Sequence, residues 1–245
     1  MIPVLRAALF AVWAAALVQP PAMPPTARAA APIDLTGYWV SVVTEDWRWR
    51  MLTPPKGDYA SVPLNAEGQR VADMWDPAKA STDGCKPYGA AAIMRVPGRL
   101  HVTWQDDDTL RIDTDAGRQT RLLHFENLRG RSKDRASRGA RTWQGLSAAE
   151  WEMVGIRGRD QSPRGGSLKV VTTDLRAGYL RTNGVPYSED AIVKENFDRL
   201  RSFDTEWLTV VTEVDDPKYL SQPFVTSTHF KREPDGSKWM PVPCE

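Results

Sequence analysis

The 245-residue sequence predicts a mainly β protein, an antiparallel up-and-down β-barrel of about nine or ten strands with a short helix. Three observations carry that expectation. Apolar and polar side chains alternate with period two through most of the chain from Tyr38 onward. Clusters of Asp, Asn, Gly and Pro punctuate the runs at short intervals. Strands do not alternate with long helices, as a parallel sheet would require, and no repeat of a propeller or solenoid is visible. Closure into a barrel removes unpaired edge strands; a flattened β-sandwich is the main alternative.

The first residues read as an export signal. Arg6 precedes the apolar run Ala7 to Val18, shorter than the ~20 residues that span a bilayer, and Ala27-Arg28-Ala29 or Ala29-Ala30-Ala31 fits small-residue cleavage. Residues 1–31 are therefore expected to be a signal peptide and 32–245 a single barrel domain, periplasmic or secreted, with no integral membrane segment after cleavage. An uncleaved anchor is the alternative.

The first strand is expected to run from Tyr38 to Arg50, with Trp39, Ser41, Val43, Glu45, Trp47 and Trp49 on one face. Thr53-Pro54-Pro55-Lys56-Gly57-Asp58 ends it, because proline cannot donate to a ladder. Asn65 to Trp75 reads as the helix, with Val71, Met74 and Trp75 at helical spacing and Asp76-Pro77 as the stop. Leu100 to Gln105, Thr109 to Thr114 and Arg118 to Phe125 form a meander joined by Asp106-Asp107-Asp108 and Asp115-Ala116-Gly117. Residues 126–141 carry six basic and two acidic side chains and read as a flexible, solvated basic loop. Leu168 to Leu175, Tyr179 to Thr182, Ala191 to Leu200, Trp207 to Val214 and Phe224 to Arg232 complete the strands, with Asn183-Gly184 marking a hairpin.

Charge and cysteine usage narrow the partners. The chain has 32 Lys and Arg against 31 Asp and Glu. Such balance argues against a nucleic-acid binder, which shows a basic excess or stripe. Two cysteines in an exported chain, Cys85 and Cys244, invite a disulfide between an early loop and the C-terminus. No Cys-x-x-Cys pair or nearby histidine suggests a metal, and none is expected.

Gly37-Tyr38-Trp39 at the head of the first strand resembles the G-x-W of lipocalins and related calycin barrels. That resemblance implies a barrel base closed by Trp39, with a late arginine packed over the indole; Arg232 is the candidate and Lys231 a poorer one. The second lipocalin motif, T-D-Y, is only echoed by Thr173-Asp174-Leu175, at a greater distance from Gly37. The chain also resembles uncharacterised secreted bacterial proteins that begin D-L-T-G-x-W and carry a hairpin like Tyr179 to Pro186.

A lipocalin-like barrel is expected to bind a small, largely apolar molecule at its mouth. Trp47, Trp49, Trp104 and Tyr179 are the expected ligand-facing aromatics, and Gly37, Trp39 and Arg232 the structural residues. Counting from Trp39 places Glu45, Trp47 and Trp49 inside. Glu195 alternates with Val193 and Phe197 and is also expected inside, where a carboxylate needs a partner. The alternative is a cofactor-independent hydratase, isomerase or cyclase that moves protons with Glu45, Glu195, His124 or His229, which then must converge in one cavity. A third reading, a surface interaction protein, predicts a large exposed apolar patch. No G-x-S-x-G, H-E-x-x-H, phosphate loop or dinucleotide fingerprint occurs, and no cofactor is expected. Asp113 to Gly117 lacks the remaining spacing of a calcium loop.

Overall fold

Period-two patterning folds as it reads. In the structure, a computed structural model describing residues 25–79, 84–125, 140–154 and 165–244, buried and accessible side chains alternate along the strands. Nine of them close a barrel: β1 (Gly37–Ser41), β2 (Arg99–Asp106), β3 (Thr109–Thr114), β5 (Thr120–His124), β6 (Leu146–Met153), β7 (Gly166–Thr173), β10 (Ile192–Ser202), β11 (Thr205–Asp215) and β12 (Phe224–Glu233). The order around it is β1-β12-β11-β10-β7-β6-β5-β3-β2, and β2 returns to β1. Outside it, β4 (Ala116–Gly117) pairs with β13 (Val242–Pro243), and β8 (Gly178–Arg181) with β9 (Val185–Tyr187).

Two features depart from a plain up-and-down meander. The strand β6 has no counterpart in the sequence reading, and it joins β5 in parallel through Leu123–Ser147 and His124–Ala148. A parallel neighbour needs a long connection. That connection contains the basic segment 126–141, of which all but residues 140 and 141 lie outside the described residues. The Asn183-Gly184 turn does mark a hairpin, but one that joins β8 to the short β9 and stands apart from the barrel wall.

The larger correction concerns the first strand. It ends at Ser41, and residues Trp47–Arg50 form one helical turn, α1. Asp46 adopts φ 50°, ψ 30°, a left-handed conformation that reverses the chain. The Arg50 side chain then donates from Nη1 to Val42 O at 2.7 Å and from Nε to Arg95 O at 2.9 Å, satisfying carbonyls that have left the ladder. Alternation of Trp and Arg over residues 47–50 mimics a strand but is set by this turn. The second helix, α2 (Ala66–Asp73), lies where expected; Asn65 Oδ1 accepts from Gly68 N at 2.8 Å as its N-cap.

The interior is packed in layers. Toward the end where β1 begins, Trp39, Leu110, Leu123, Leu168, Phe197, Leu208 and Phe230 belong to one apolar cluster, each at most 1% exposed. Toward the other end, Leu175, Leu180, Val185, Tyr187, Val193 and Phe224 belong to a second. Between them lies a polar belt: Arg121 Nη2 is 2.6 Å from Glu195 Oε2, Arg121 donates to Thr172 at 3.4 Å, and Ser147 and Thr172 hydroxyls meet at 2.8 Å. The Arg121 and Glu195 side chains are fully buried. The inward side chains named here have almost no water-accessible area.

Segments outside the barrel wall pack against both ends. Ala27 is buried against the first cluster, its amide donating to Asp108 Oδ1 at 2.7 Å while its carbonyl accepts from Trp151 Nε1 at 2.8 Å. At the far end, residues 84–98, α2 and the β8–β9 hairpin cover the opening. A Cys85–Cys244 disulfide ties this cover to the C-terminus beside β4.

Candidate functional site

Gly37, Trp39 and Arg232 meet at the base of the barrel. Arg232 Cζ lies 5.0 Å from the Trp39 ring centroid, and the indole Nε1 donates to Leu35 O at 2.9 Å. Gly37 has φ 115°, and a Cβ there would stand 2.7 Å from Arg232 Nη2. Only glycine combines that backbone with that approach. The guanidinium also reaches Glu206 at 3.6 Å, so this arrangement locks the barrel base and has its charge answered.

A cleft at the opposite end has different chemistry. Its volume is about 270 Å³, and it opens between the α1 turn, the segment 87–97 and β8. Trp49, Met51, Leu52, Tyr88 and Leu180 supply apolar wall, and Arg50, Arg95 and Arg181 supply charge. Sequence separates these segments by up to 130 residues or so, and only the closed barrel brings them together. Met51 and Leu52 are 54% and 61% exposed, so the rim is apolar and open to solvent.

The three arginines are unequal. Arg95 Nη1 is 3.1 Å from Asp46 Oδ2, Arg48 holds Asp58 at 2.8 Å, and Arg50 donates to backbone carbonyls with Glu45 at 3.8 Å. Arg181, only 4% exposed, has its guanidinium 4.8 Å from the Trp49 ring centroid. Its Nε and Nη1 are buried and make no hydrogen bond among the described residues, as is also true of Arg50 Nη2. Burial, and after it the neighbouring Arg95, pushes the Arg181 pKa down to about 10. The same two causes, in the same order, lower that of Arg50. Buried donors without acceptors and crowded like charges are both costly.

No protein-family model, curated protein or solved structure matches the chain.

The residues nominated from sequence are dispersed. Glu195 is inside, held by Arg121. Glu45 is on the outer side in the turn after β1, with Oε1 2.5 Å from His229 Nδ1, an outward residue of β12. His124 faces outward from β5, its Nδ1 3.5 Å from the Thr109 hydroxyl. Glu45 and His229 therefore meet, but the four do not converge in one cavity. Trp47 is 56% exposed on α1, not interior, and Trp49 is half-buried at the cleft because the chain has left the strand. Trp104 does face inward, at the base end, with ring centroids 5.7 Å from Phe125 and 6.4 Å from Trp151. Tyr179 lies on β8 outside the cleft, 5.4 Å from Lys86 Nζ. Arg50, Arg95 and Arg181 escape sequence reasoning because no spacing links them; an arginine beside Leu180 just before a tight hairpin is the only local hint.

Proposed function

We propose that this is an exported barrel that binds a small, largely apolar molecule, and that the molecule sits in the Trp49 cleft at the barrel's end rather than inside the barrel. The carrying observation is the cleft itself: a concave site with aromatic and aliphatic walls, next to an interior already occupied by side chains. Its volume falls slightly below the usual ~300–1,000 Å³ of ligand pockets, which favours a compact ligand or one that projects past the apolar rim. Export is supported by the Cys85–Cys244 disulfide, a bond that persists in oxidising compartments. No helix among the described residues is long and apolar enough to cross a membrane.

The test is titration with the uncharged fluorophore N-phenyl-1-naphthylamine. Saturable binding is expected in the wild-type protein, weakened at least about tenfold in Trp49→Ala, the loss of one well-packed aromatic contact surface. Absence of saturable binding, or equal affinity in the two proteins, overturns the assignment.

A further inference from the structure

We infer that the ligand of this cleft is an amphiphile with an anionic head, a carboxylate or a phosphate monoester, seated on Arg181 with its apolar body along Trp49. The inference rests on the Trp49 cleft being the binding site and adds the charge of what it takes. Four guanidinia, those of Arg48, Arg50, Arg95 and Arg181, gather around the cleft with three carboxylates, those of Glu45, Asp46 and Asp58. The three carboxylates are each engaged by an arginine other than Arg181, and Glu45 also by His229. Arg181 is left with Trp49 as its contact, and a ring face does not accept the in-plane N–H groups of a guanidinium.

The unmet donors and the unanswered charge call for an anionic head group. Arg181 Nε and Nη1 point from opposite edges of the guanidinium, so on both sides of this positive charge a donor lacks an acceptor among the described residues. Arg50 Nη2 is a third unmet donor of a residue lining the same cleft. A neutral ligand would leave all three unsatisfied and the charge unanswered. A cationic one would add to the repulsion. The body of the ligand follows from the rest of the wall, to which buried Leu180 and the exposed Met51 and Leu52 contribute apolar surface.

Calorimetric titration with octanoate, octyl phosphate and octan-1-ol tests this on the wild-type protein. Each shares one alkyl body, so differences report the head. At least one of the two anions is expected to bind ten times or more tighter than the alcohol, and the tighter anion identifies which head the site is built for. In Arg181→Met, which keeps length and removes charge, that preference should collapse to about twofold while alcohol binding survives. Circular dichroism confirms that the variant is folded. If octan-1-ol binds as tightly as both anions to the wild type, the anionic head is wrong, although the cleft stands. If the preference is unchanged in Arg181→Met, Arg181 is not its seat. Failure of N-phenyl-1-naphthylamine to bind removes the underlying site assignment instead.

Discussion

Glu195→Gln should destabilise the barrel severely without touching the cleft. Glu195 and Arg121 are both fully buried, with Nη2–Oε2 at 2.6 Å and Nη1–Oε1 at 3.1 Å, a two-point pair deep in the interior. Neutralising the carboxylate leaves the guanidinium uncompensated in a site of low polarity, a change worth about 3–5 kcal/mol. That is a large part of the roughly 5–15 kcal/mol that holds a domain together. For a domain of this size it corresponds to a fall of about 6–20 °C in Tm. Urea unfolding followed by far-UV circular dichroism, with calorimetry alongside, measures it. Replacing both partners, Arg121→Met with Glu195→Leu, should instead be neutral or stabilising by up to about 4 kcal/mol, because the pair's desolvation disappears with its attraction. Arg121 Nε and Thr212 Oγ1, buried without hydrogen-bond partners among the described residues, make the belt an incompletely satisfied network and favour that sign. A loss below about 1 kcal/mol in Glu195→Gln, or a double variant as unstable as the single one, would refute the reasoning.

Other perturbations separate the remaining parts. Gly37→Ala should lower the urea midpoint by the equivalent of about 1–3 kcal/mol, since a Cβ collides with Arg232 and the backbone is left-handed; an unchanged midpoint contradicts the proposed lock. Replacing Cys85 and Cys244 by serine opens a loop of 159 residues, for which chain entropy gives roughly 5 kcal/mol as an upper figure; Tm compared under oxidising conditions reads the loss. A chain beginning at Pro32, as cleavage after Ala31 would leave, loses the Ala27 and Arg28 bonds to Asp108 and Asp107 and the Trp151 bond to Ala27, about 1 kcal/mol each, and should melt below a chain that begins at Pro25; equal melting shows that the segment does not seal the base. Octanoate affinity should be level between about pH 6 and 9 and decline above about pH 10, where the depressed Arg181 loses its proton. The charged groups acting on Arg181 are Arg95, Arg48, Asp58 and Asp46, so a decline beginning two units lower would point to another group.

Strand positions were legible because alternation is written into adjacent residues. The strands β2, β3, β10, β11 and β12 fall within a few residues of their expected limits, and Asn65 announces α2 through its cap. The strand β6 is not legible in the sequence, and its pairing with β5 in parallel depends on a partner distant in sequence. The expected opening strand is too long because Trp-Arg-Trp-Arg alternates in a helical turn as readily as in a strand when short; Asp46 and the reach of Arg50 decide between them.

Sequence alone determined the β class, the barrel's first strand at Gly37-Tyr38-Trp39, the cysteine pair and an interior place for Glu195, since each is a matter of local patterning or composition. Tertiary structure decided that the four proton-transfer candidates do not share a cavity, and that Trp49 lies at an end cleft beside three arginines from three separate segments. A strand's alternation fixes which face a side chain takes. Which side chains from other strands and loops it meets depends on barrel closure, register and the turns between, and no local pattern encodes those distances.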